Sequence, residues 1–293
     1  METFFVVNAD DFGLCPEVNQ GILAAHSLGI VRSTSVMTNM PCWGEIESAH
    51  ANDPELGVGL HVCLSEGFPV SDPAQVPSLV DADGRFHTRS ELFHRLHRDR
   101  IALGEVAVEV HAQLQRLRAV GIHPDHWNTH QYVHLHPRLL GVLKRTLSPI
   151  LVPCMRTHRR VYVGARGWLR GSRLLDFYRR MPLRLVKDLY FRHESRRARR
   201  AGFRLPDGQL TRVPFAAPFA LLVDHAAANA PAGVYEWICH PATSRRPGDK
   251  TIIDRPGELA LLTRPGLEAE LAAAGIRLGN FAQAFLDGRT CNT

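Results

Sequence analysis

The sequence predicts an α/β fold in which strands and helices take turns along the chain. Across the first 150 residues, short apolar runs alternate with stretches whose apolar residues recur at helical spacing. Polar residues that can act in catalysis or metal binding cluster directly after several of the apolar runs. Strand and helix in turn indicate parallel βα units, either a TIM-like (β/α) barrel or an open doubly wound sheet. A chain of 293 residues is long enough to bury such a core.

The predicted elements follow from local sequence signals. Residues 3–8 form a short apolar run bounded by Ala-Asp-Asp, which is typical of a buried strand. Val18, Ile22 and Ala25 recur at helical spacing before Gly29, so this stretch is predicted as a helix with a C-terminal glycine. Comparable signals predict strands over 3–8, 31–38, 56–62, 123–129, 149–154 and 233–239, helices over 17–27, 43–51, 89–119, 137–147 and 258–274, and a loop over 65–84.

Residues 156–214 interrupt the alternation and are predicted to form a lid-like insertion with one or two basic amphipathic helices. Residues 156–204 contain 16 Lys+Arg and three acidic residues, whereas the whole chain has a net charge of +6. The remainder of the protein is therefore acidic. Candidate site residues lie on both sides of this segment, so we expect one domain over 1–293 with an irregular barrel.

Composition and cysteine usage exclude several classes of protein. An apolar fraction of 45% and a charged fraction of 22% exclude a wholly disordered chain, collagen and a coiled coil. The six scattered cysteines lack a disulfide pattern and indicate a reducing compartment. No signal peptide and no apolar run of about 18 residues is recognisable. We therefore expect a cytoplasmic location, with peripheral attachment to the inner membrane face left open.

Polar side chains follow four predicted strands. Asp10 and Asp11 come directly after the first strand, and His61 lies near the end of the third. The carboxyl ends of parallel strands meet at one edge of a sheet, where active sites are built. Two adjacent carboxylates can have different roles there, because one can bind a cation while the other acts as a base. Taken alone, each of these positions also fits a helix cap or a buried structural residue.

Histidines supply the remaining signals. Five of the 16 histidines fall within 123–136, among them His130 and His134, which would share a face if the segment is helical. His240 follows the strand predicted over 233–239. One carboxylate and two imidazoles with an open position form the recurrent layout of hydrolytic metal centres. The sequence therefore predicts such a centre.

Four motifs carry a family resemblance: NADDFG from Asn8, GLHVCLSEGFP from Gly59, DHWNTHQYVHLHP from Asp125 and EWICHP from Glu236. In this order and spacing, the chain resembles the YdjC-like carbohydrate deacetylases over about residues 4–280. That family includes chitooligosaccharide deacetylases and hopanoid-associated members. The resemblance implies a TIM-like barrel and a metal-dependent hydrolase that removes an N-acetyl group from an amino sugar.

The resemblance also implies roles for individual residues. Asp10 would be the catalytic base and His240 the acid near the leaving amine. The expected ligands of one divalent metal ion are Asp11, His61 and His130, and the expected supporting or substrate-contacting residues are His134, Asn128 and Glu66. Asn128 stands where many family members carry Asp. One carboxylate and two imidazoles suit Zn²⁺ best, with Co, Ni, Fe and Mg left open.

The partners follow from the same signals. The expected substrate is a small-molecule or lipid-linked N-acetyl amino sugar. The Arg-rich segment predicts contact with an anionic group or a membrane surface, because arginine binds phosphate bidentately. A solvated lid face or a homo-oligomer contact would equally account for it. Nucleic acid is not expected, since no binding motif accompanies the basic pI of 9.2. The alternatives are another metal-dependent amidohydrolase or phosphoesterase, or a non-catalytic carbohydrate-binding protein.

Overall fold

The computed structural model describes residues 2–164, 167–213, 230–245 and 253–286. Within these ranges the chain forms an α/β fold around a mostly parallel central sheet, as the alternating pattern predicts. Its strands are β1 (Thr3–Phe12), β2 (Ser33–Val36), β3 (Gly57–Val62), β4 (His126–Thr129), β5 (Cys154–Met155), β6 (Arg160–Gly164), β7 (Gly167–Trp168), β8 (Gly208–Val213), β9 (Gly233–Cys239) and β10 (Ile276–Leu278).

The sheet has the order β5-β4-β3-β2-β1-β9-β8-β6-β7, and β10 pairs with β1 off this path. Every ladder is parallel except the one between β6 and β7. Within the described ranges no ladder joins β5 to β7, so closure into a TIM-like barrel stays a prediction. Parallel pairing brings the carboxyl ends of β1, β3, β4 and β9 to the same edge.

The helices differ from the prediction mainly by two breaks. The stretch predicted as one helix over 89–119 is divided at Asp99, whose φ is 56°. The stretch predicted over 258–274 is divided at Pro265 and Gly266, where φ is 81° at the glycine. The helices are α1 (Pro16–Ser27), α2 (Glu45–Asn52), α3 (Arg89–His97), α4 (Leu103–Arg118), α5 (Pro137–Thr146), α6 (Gly171–Arg180), α7 (Pro182–Arg200), α8 (Arg255–Leu262), α9 (Leu267–Ala273) and α10 (Phe281–Phe285).

The core lies on both sides of the sheet. All ten residues of β1 are buried. One apolar cluster packs α1 against β1 and β9, and a second packs α4 and α5 against β3 and β4. In α1, Gly21 allows a close approach, because a Cβ there would lie 2.4 Å from the Cα of Ala242. Helix α1 thereby supports the loop that follows β9.

Only part of the segment predicted as an insertion, residues 156–214, lies outside the central sheet. Two helices, α6 and α7, lie within this segment. However, β6 and β8 lie within 156–214 and are paired strands of the central sheet. The sheet therefore runs through this segment, and the helical hairpin is confined to Gly171–Arg200. Pro214 lies outside the described residues.

The five cysteines that the structure describes (Cys15, Cys42, Cys63, Cys154 and Cys239) are all free thiols, in agreement with the prediction. Cys291 lies outside the described residues. None of the described helices is both long and apolar enough to cross a bilayer.

Candidate active site

A bulge in β1 brings two adjacent carboxylates into the same site. In a regular strand, neighbouring side chains point to opposite faces of the sheet. The pairing of β1 with β2 shifts register between Ala9 and Phe12, and Asp11 has a φ of 74°. This local rearrangement is typical of a β-bulge, which re-aims side chains near functional sites. Asp10 and Asp11 consequently line one cavity.

Asp11, His61 and His130 form a buried group with metal-ligand chemistry. Their candidate donor atoms all lie within 4.8 Å of one another. Oδ1 of Asp11 is 3.2 Å from Nε2 of His61 and 3.1 Å from Nδ1 of His130. This is the trio expected from the sequence, and its members come from the ends of β1, β3 and β4.

A second layer of contacts orients both imidazoles. The amide of Asn128 donates to Asp10 and to Ser35, so its Oδ1 accepts from Nδ1–H of His61. That tautomer leaves Nε2 of His61 facing Asp11. On the other side, Nε2 of His130 lies 3.0 Å from Oε2 of Glu66. A carboxylate or carbonyl behind a ligating histidine fixes its orientation and raises its basicity.

Asp10 is surrounded by donors rather than free. Its Oδ1 accepts from Asn8 at 2.8 Å, Ser35 at 2.9 Å, Asn128 at 3.2 Å and Nη2 of Arg156 at 2.7 Å. Its Oδ2 accepts from Nη1 of Arg156, also at 2.7 Å. Burial by itself would raise the pKa of Asp10, but the Arg156 guanidinium together with His61 and His240 outweighs it and holds that pKa well below its usual range. Asp10 is therefore an anion at neutral pH.

Arg156 joins two carboxylates in the interior. Its side chain is only 1% exposed, and its Nε donates to Oε1 of Glu236 at 2.8 Å. Burial raises the pKa of Glu236 in spite of this contact. Arg156, directly after β5, therefore links Asp10 near the end of β1 to Glu236 in the middle of β9, and an unpaired charge at any of these buried positions would be strongly destabilising.

The cavity is also lined by His240, the residue that the family resemblance implies as the acid. It has a volume of about 240 Å³. Nε2 of His240 lies 4.0 Å from Oδ2 of Asp10 across it. The backbone N–H of His240 donates to Oε2 of Glu258 at 2.6 Å, which anchors the loop after β9. The side chains around the cavity are Asp10, Asp11, Leu14, His61, Glu66, Thr129, His130, Gln131, Tyr132, His240, Ile253 and Arg255.

A comparison with protein families decides the affiliation of the chain. The family profile described as "YdjC-like protein" matches residues 5–273. The chain belongs to the YdjC-like family. The resemblance seen in the four motifs is thereby confirmed.

Curated relatives and a solved structure agree with this assignment. A carbohydrate deacetylase of Geobacillus stearothermophilus is 38% identical over 153 residues, which are 52% of this chain and 59% of the relative. A chitooligosaccharide deacetylase of Yersinia pestis is 38% identical over 140 residues, or 47% of this chain and 53% of the relative. The chain thus spans little more than half the length of these curated relatives.

The similar crystal structure covers nearly all of both chains. It comes from an Enterococcus faecalis V583 protein provisionally named for cellobiose-phosphate cleavage, with a TM-score of 0.71 and 27% identity. The match covers 97% of this chain and 99% of that one. The YdjC-like fold of the present chain is therefore shared along its length with a solved structure.

His134 occupies a different place from the other predicted residues of this YdjC-like chain. It lies in a 3-10 turn, His130–Leu135, in which Gln131 and Tyr132 have left-handed backbone, so it does not share a helical face with His130. Its Nδ1 contacts Thr129 Oγ1. Its ring stacks on His158 with 4.3 Å between centroids, and burial holds its pKa well below the usual range. His134 is therefore a buried, uncharged side chain that does not belong to the Asp11–His61–His130 group.

Two arginines at this YdjC-like site escaped the sequence reasoning. Arg156 was counted as the first residue of the basic segment, whereas it is buried against Asp10 and Glu236. Arg255 donates from Nη2 to Oδ2 of Asp11 at 2.7 Å, which leaves Oδ1 facing the histidines. The available signal was the position of Arg156 directly after a predicted strand, the same signal that identified the other site residues.

Proposed function

We propose that this protein is a metal-dependent N-deacetylase acting on an N-acetyl amino sugar. The observation that carries the proposal is the convergence in one cavity of a carboxylate–imidazole trio, a second carboxylate and a further histidine. The names of the curated relatives support this reaction class. We further propose that 1–293 acts as one irregular TIM-like barrel domain in the cytoplasm.

The trio fits a divalent metal ion. Asp11 offers Oδ1, and the tautomer set by Asn128 presents the unprotonated Nε2 of His61. If His130 binds through Nδ1, its Nε2–H remains to donate to Glu66. A bound ion would polarise the acetyl carbonyl and lower the pKa of a water molecule. Mixed nitrogen and oxygen donors favour Zn²⁺, whereas Mg²⁺ prefers oxygen ligands alone.

Asp10 is suited to be the base through one oxygen. Its Oδ1 already accepts from four donors, whereas Oδ2 accepts from Arg156 and faces His240. Oδ2 is therefore the oxygen that takes the proton of the attacking water. The low pKa keeps Asp10 ionised, so it can accept a proton from the water molecule. Its contribution to the rate comes from its position beside the water rather than from a high basicity.

His240 is placed to complete the reaction. As the water oxygen bonds to the acetyl carbon and the C–N bond breaks, protonated His240 donates to the departing nitrogen. The amine needs that proton because its anion is a poor leaving group. The products are acetate and the free amino sugar. The side chain of His240 is 23% exposed and lies beside the cavity, so it can reach a substrate from its open side.

Acetate release from N-acetylglucosaminyl substrates tests the proposal. We expect release by the metal-loaded protein and its loss on chelation, with recovery when Zn²⁺ is restored. Asp10→Asn should abolish turnover, and His240→Ala should reduce turnover while leaving the metal content unchanged. Turnover that survives both Asp10→Asn and chelation would refute this scheme, and loss of metal in His240→Ala would make His240 a ligand.

The substrate's form and the reaction class are tested by a panel. Free, nucleotide-linked and lipid-linked N-acetyl sugars are offered, and acetate is measured together with the mass change of the sugar. Acetate is expected from one of these classes. Release of phosphate without acetate would instead favour a phosphoesterase, and binding without any product would favour a carbohydrate-binding protein.

A further inference from the structure

The α6–α7 hairpin carries an unusual concentration of exposed apolar side chains. Of the eleven large apolar side chains exposed among the described residues, six lie in this hairpin, with exposures from 38% to 77%. They are Leu175, Met181, Leu183, Leu185, Val186 and Leu189, and we call them the apolar tip. Contiguous exposed apolar surface marks an interaction site far more often than scattered single residues do.

The packing of the hairpin against the protein depends mainly on side chains other than the apolar tip. Phe177, Phe191 and Ala198 are buried and face the body. The hydroxyls of Tyr162 and Tyr178 both donate to Oδ2 of the buried Asp188, at 2.6 Å and 2.8 Å. These contacts fasten both helices to β6 without any residue of the apolar tip.

The outward face of α7 changes from apolar to basic along the helix. Leu185, Leu189, Arg192, Arg196 and Arg200 follow one another at intervals of three or four residues and are all exposed. This spacing places them on one face. This arrangement would let the apolar end of the hairpin enter a bilayer while the arginines further along the same face meet the anionic headgroups.

A small cavity lies beside the basic half of this face. Its volume is about 190 Å³, and its lining is Thr157, Arg159, Arg192, Ser195, Arg196, Arg199 and Pro206. The buried hydroxyl of Ser195 has no hydrogen-bond partner among the described residues. Arg199 already donates to the backbone carbonyls of Leu205 and Pro206 and to Asp207. The guanidinium groups of Arg159, Arg192 and Arg196 beside the Ser195 hydroxyl suit a phosphate group, because arginine binds phosphate through paired N–H donors.

We propose that the hairpin docks this protein on an anionic lipid bilayer. The apolar tip enters the boundary between headgroups and acyl chains, and the arginines of α7 with their cavity bind lipid phosphates. A second copy of the chain fits this face poorly. Residues 171–200 contain ten Lys+Arg and three acidic residues, so a symmetric contact would oppose like charges. This docking proposal does not depend on the proposed deacetylase function.

Vesicle co-sedimentation of the full chain tests the proposal. Vesicles of phosphatidylcholine with about 30% phosphatidylglycerol are compared with pure phosphatidylcholine, because anionic lipid supplies the charge. We expect binding to the anionic vesicles that weakens as salt is raised, since exposed charges are screened. The triple variant L185S/V186S/L189S should bind at least about tenfold more weakly, because less apolar area enters the bilayer.

Two further variants separate the contributions. R192Q/R196Q should weaken binding to anionic vesicles about tenfold and reduce its salt dependence. Ile150→Ser is the matched control, because Ile150 is 94% exposed but lies outside the hairpin. This control should bind like the wild type. Acetate release from a soluble substrate should be the same in all of these variants, so a failure of docking is distinguishable from a failure of catalysis.

Several outcomes would overturn the proposal. One is the absence of wild-type binding to anionic vesicles, and another is undiminished binding by the triple variant. Self-association in analytical ultracentrifugation that the triple variant abolishes, without vesicle binding, would identify the face as a contact between copies. Inorganic phosphate that binds the hairpin, together with vesicles that do not, would assign the cavity to a free anion.

Discussion

The catalytic cavity and the α6–α7 hairpin use the same side chain in opposite ways. Arg156 is 1% exposed and its guanidinium is held by Asp10 and Glu236. Arg196, forty residues later in the same basic segment, is exposed on the outer face of α7. In the cavity, the charge of Arg156 is neutralised by Asp10 and Glu236, which are part of the folded protein itself. On the hairpin, residues 171–200 contain ten Lys+Arg and three acidic residues, so ion pairs such as Arg197–Glu194 neutralise only part of the positive charge.

This difference teaches that net charge is a poor guide to where a protein binds anions. The basic excess of 156–204 includes an arginine that serves the interior, so the surface share of that excess is smaller than the sequence count suggests. Substitutions should follow the same division. In the cavity they should affect folding and metal binding, whereas on the hairpin they should affect neither.

The largest expected effect is that of Arg156→Met. It leaves Asp10 and Glu236 buried without their counter-ion, and breaking a buried ion pair costs about 3–5 kcal/mol. Urea denaturation should show a loss of that size in the free energy of unfolding. The matched variant Arg196→Met should stay within about 0.5 kcal/mol of the wild type. Equal losses in the two variants would contradict the comparison.

An intermediate effect is expected for Asn128→Ala. This change removes the acceptor of Nδ1–H of His61 and one of the donors to Asp10. Loss of such a supporting contact typically lowers metal affinity about 10–100-fold. Competition with a fluorescent chelator measures the affinity, and Arg196→Met again serves as the control. An unchanged affinity would show that His61 is oriented without Asn128.

The smallest effect concerns pH. Because the pKa of folded Asp10 lies below the 3.8 that is usual for an aspartate, its ion pair stabilises the fold fully above that pH. The contribution is lost as the pH falls from about 4 towards the folded pKa. The gap in unfolding free energy between wild type and Asp10→Asn should therefore narrow below about pH 4. Urea titrations between about pH 3 and 6 measure it, and a constant gap would contradict the inferred ionisation.

The principal features of the site were predictable because strand ends are visible in a sequence. Asp10, Asp11, His61, His130 and His240 each follow or end an apolar run, and parallel pairing brings such ends together. The structure places all five around one cavity. Their individual catalytic and ligand roles stay predictions.

Other features depend on partners that local sequence does not reveal. Whether an arginine is buried depends on which carboxylates face it, and Asp10 lies 146 residues from Arg156. The break at Asp99 contains no glycine or proline, so it carried no recognisable stop signal, and a left-handed aspartate ends α3 there. Pro265 and Gly266 did carry such a signal, and the predicted continuous helix was wrong to pass through them.

The bulge at Asp11 also limits which residues evolution can place there. The position needs an oxygen donor to complete the proposed metal site, and its φ of 74° needs a residue that accepts left-handed backbone. Among the oxygen-bearing side chains, Asp and Asn meet that conformation most readily, whereas branched residues are outliers. A library randomised at position 11 should therefore return aspartate with very few functional substitutes.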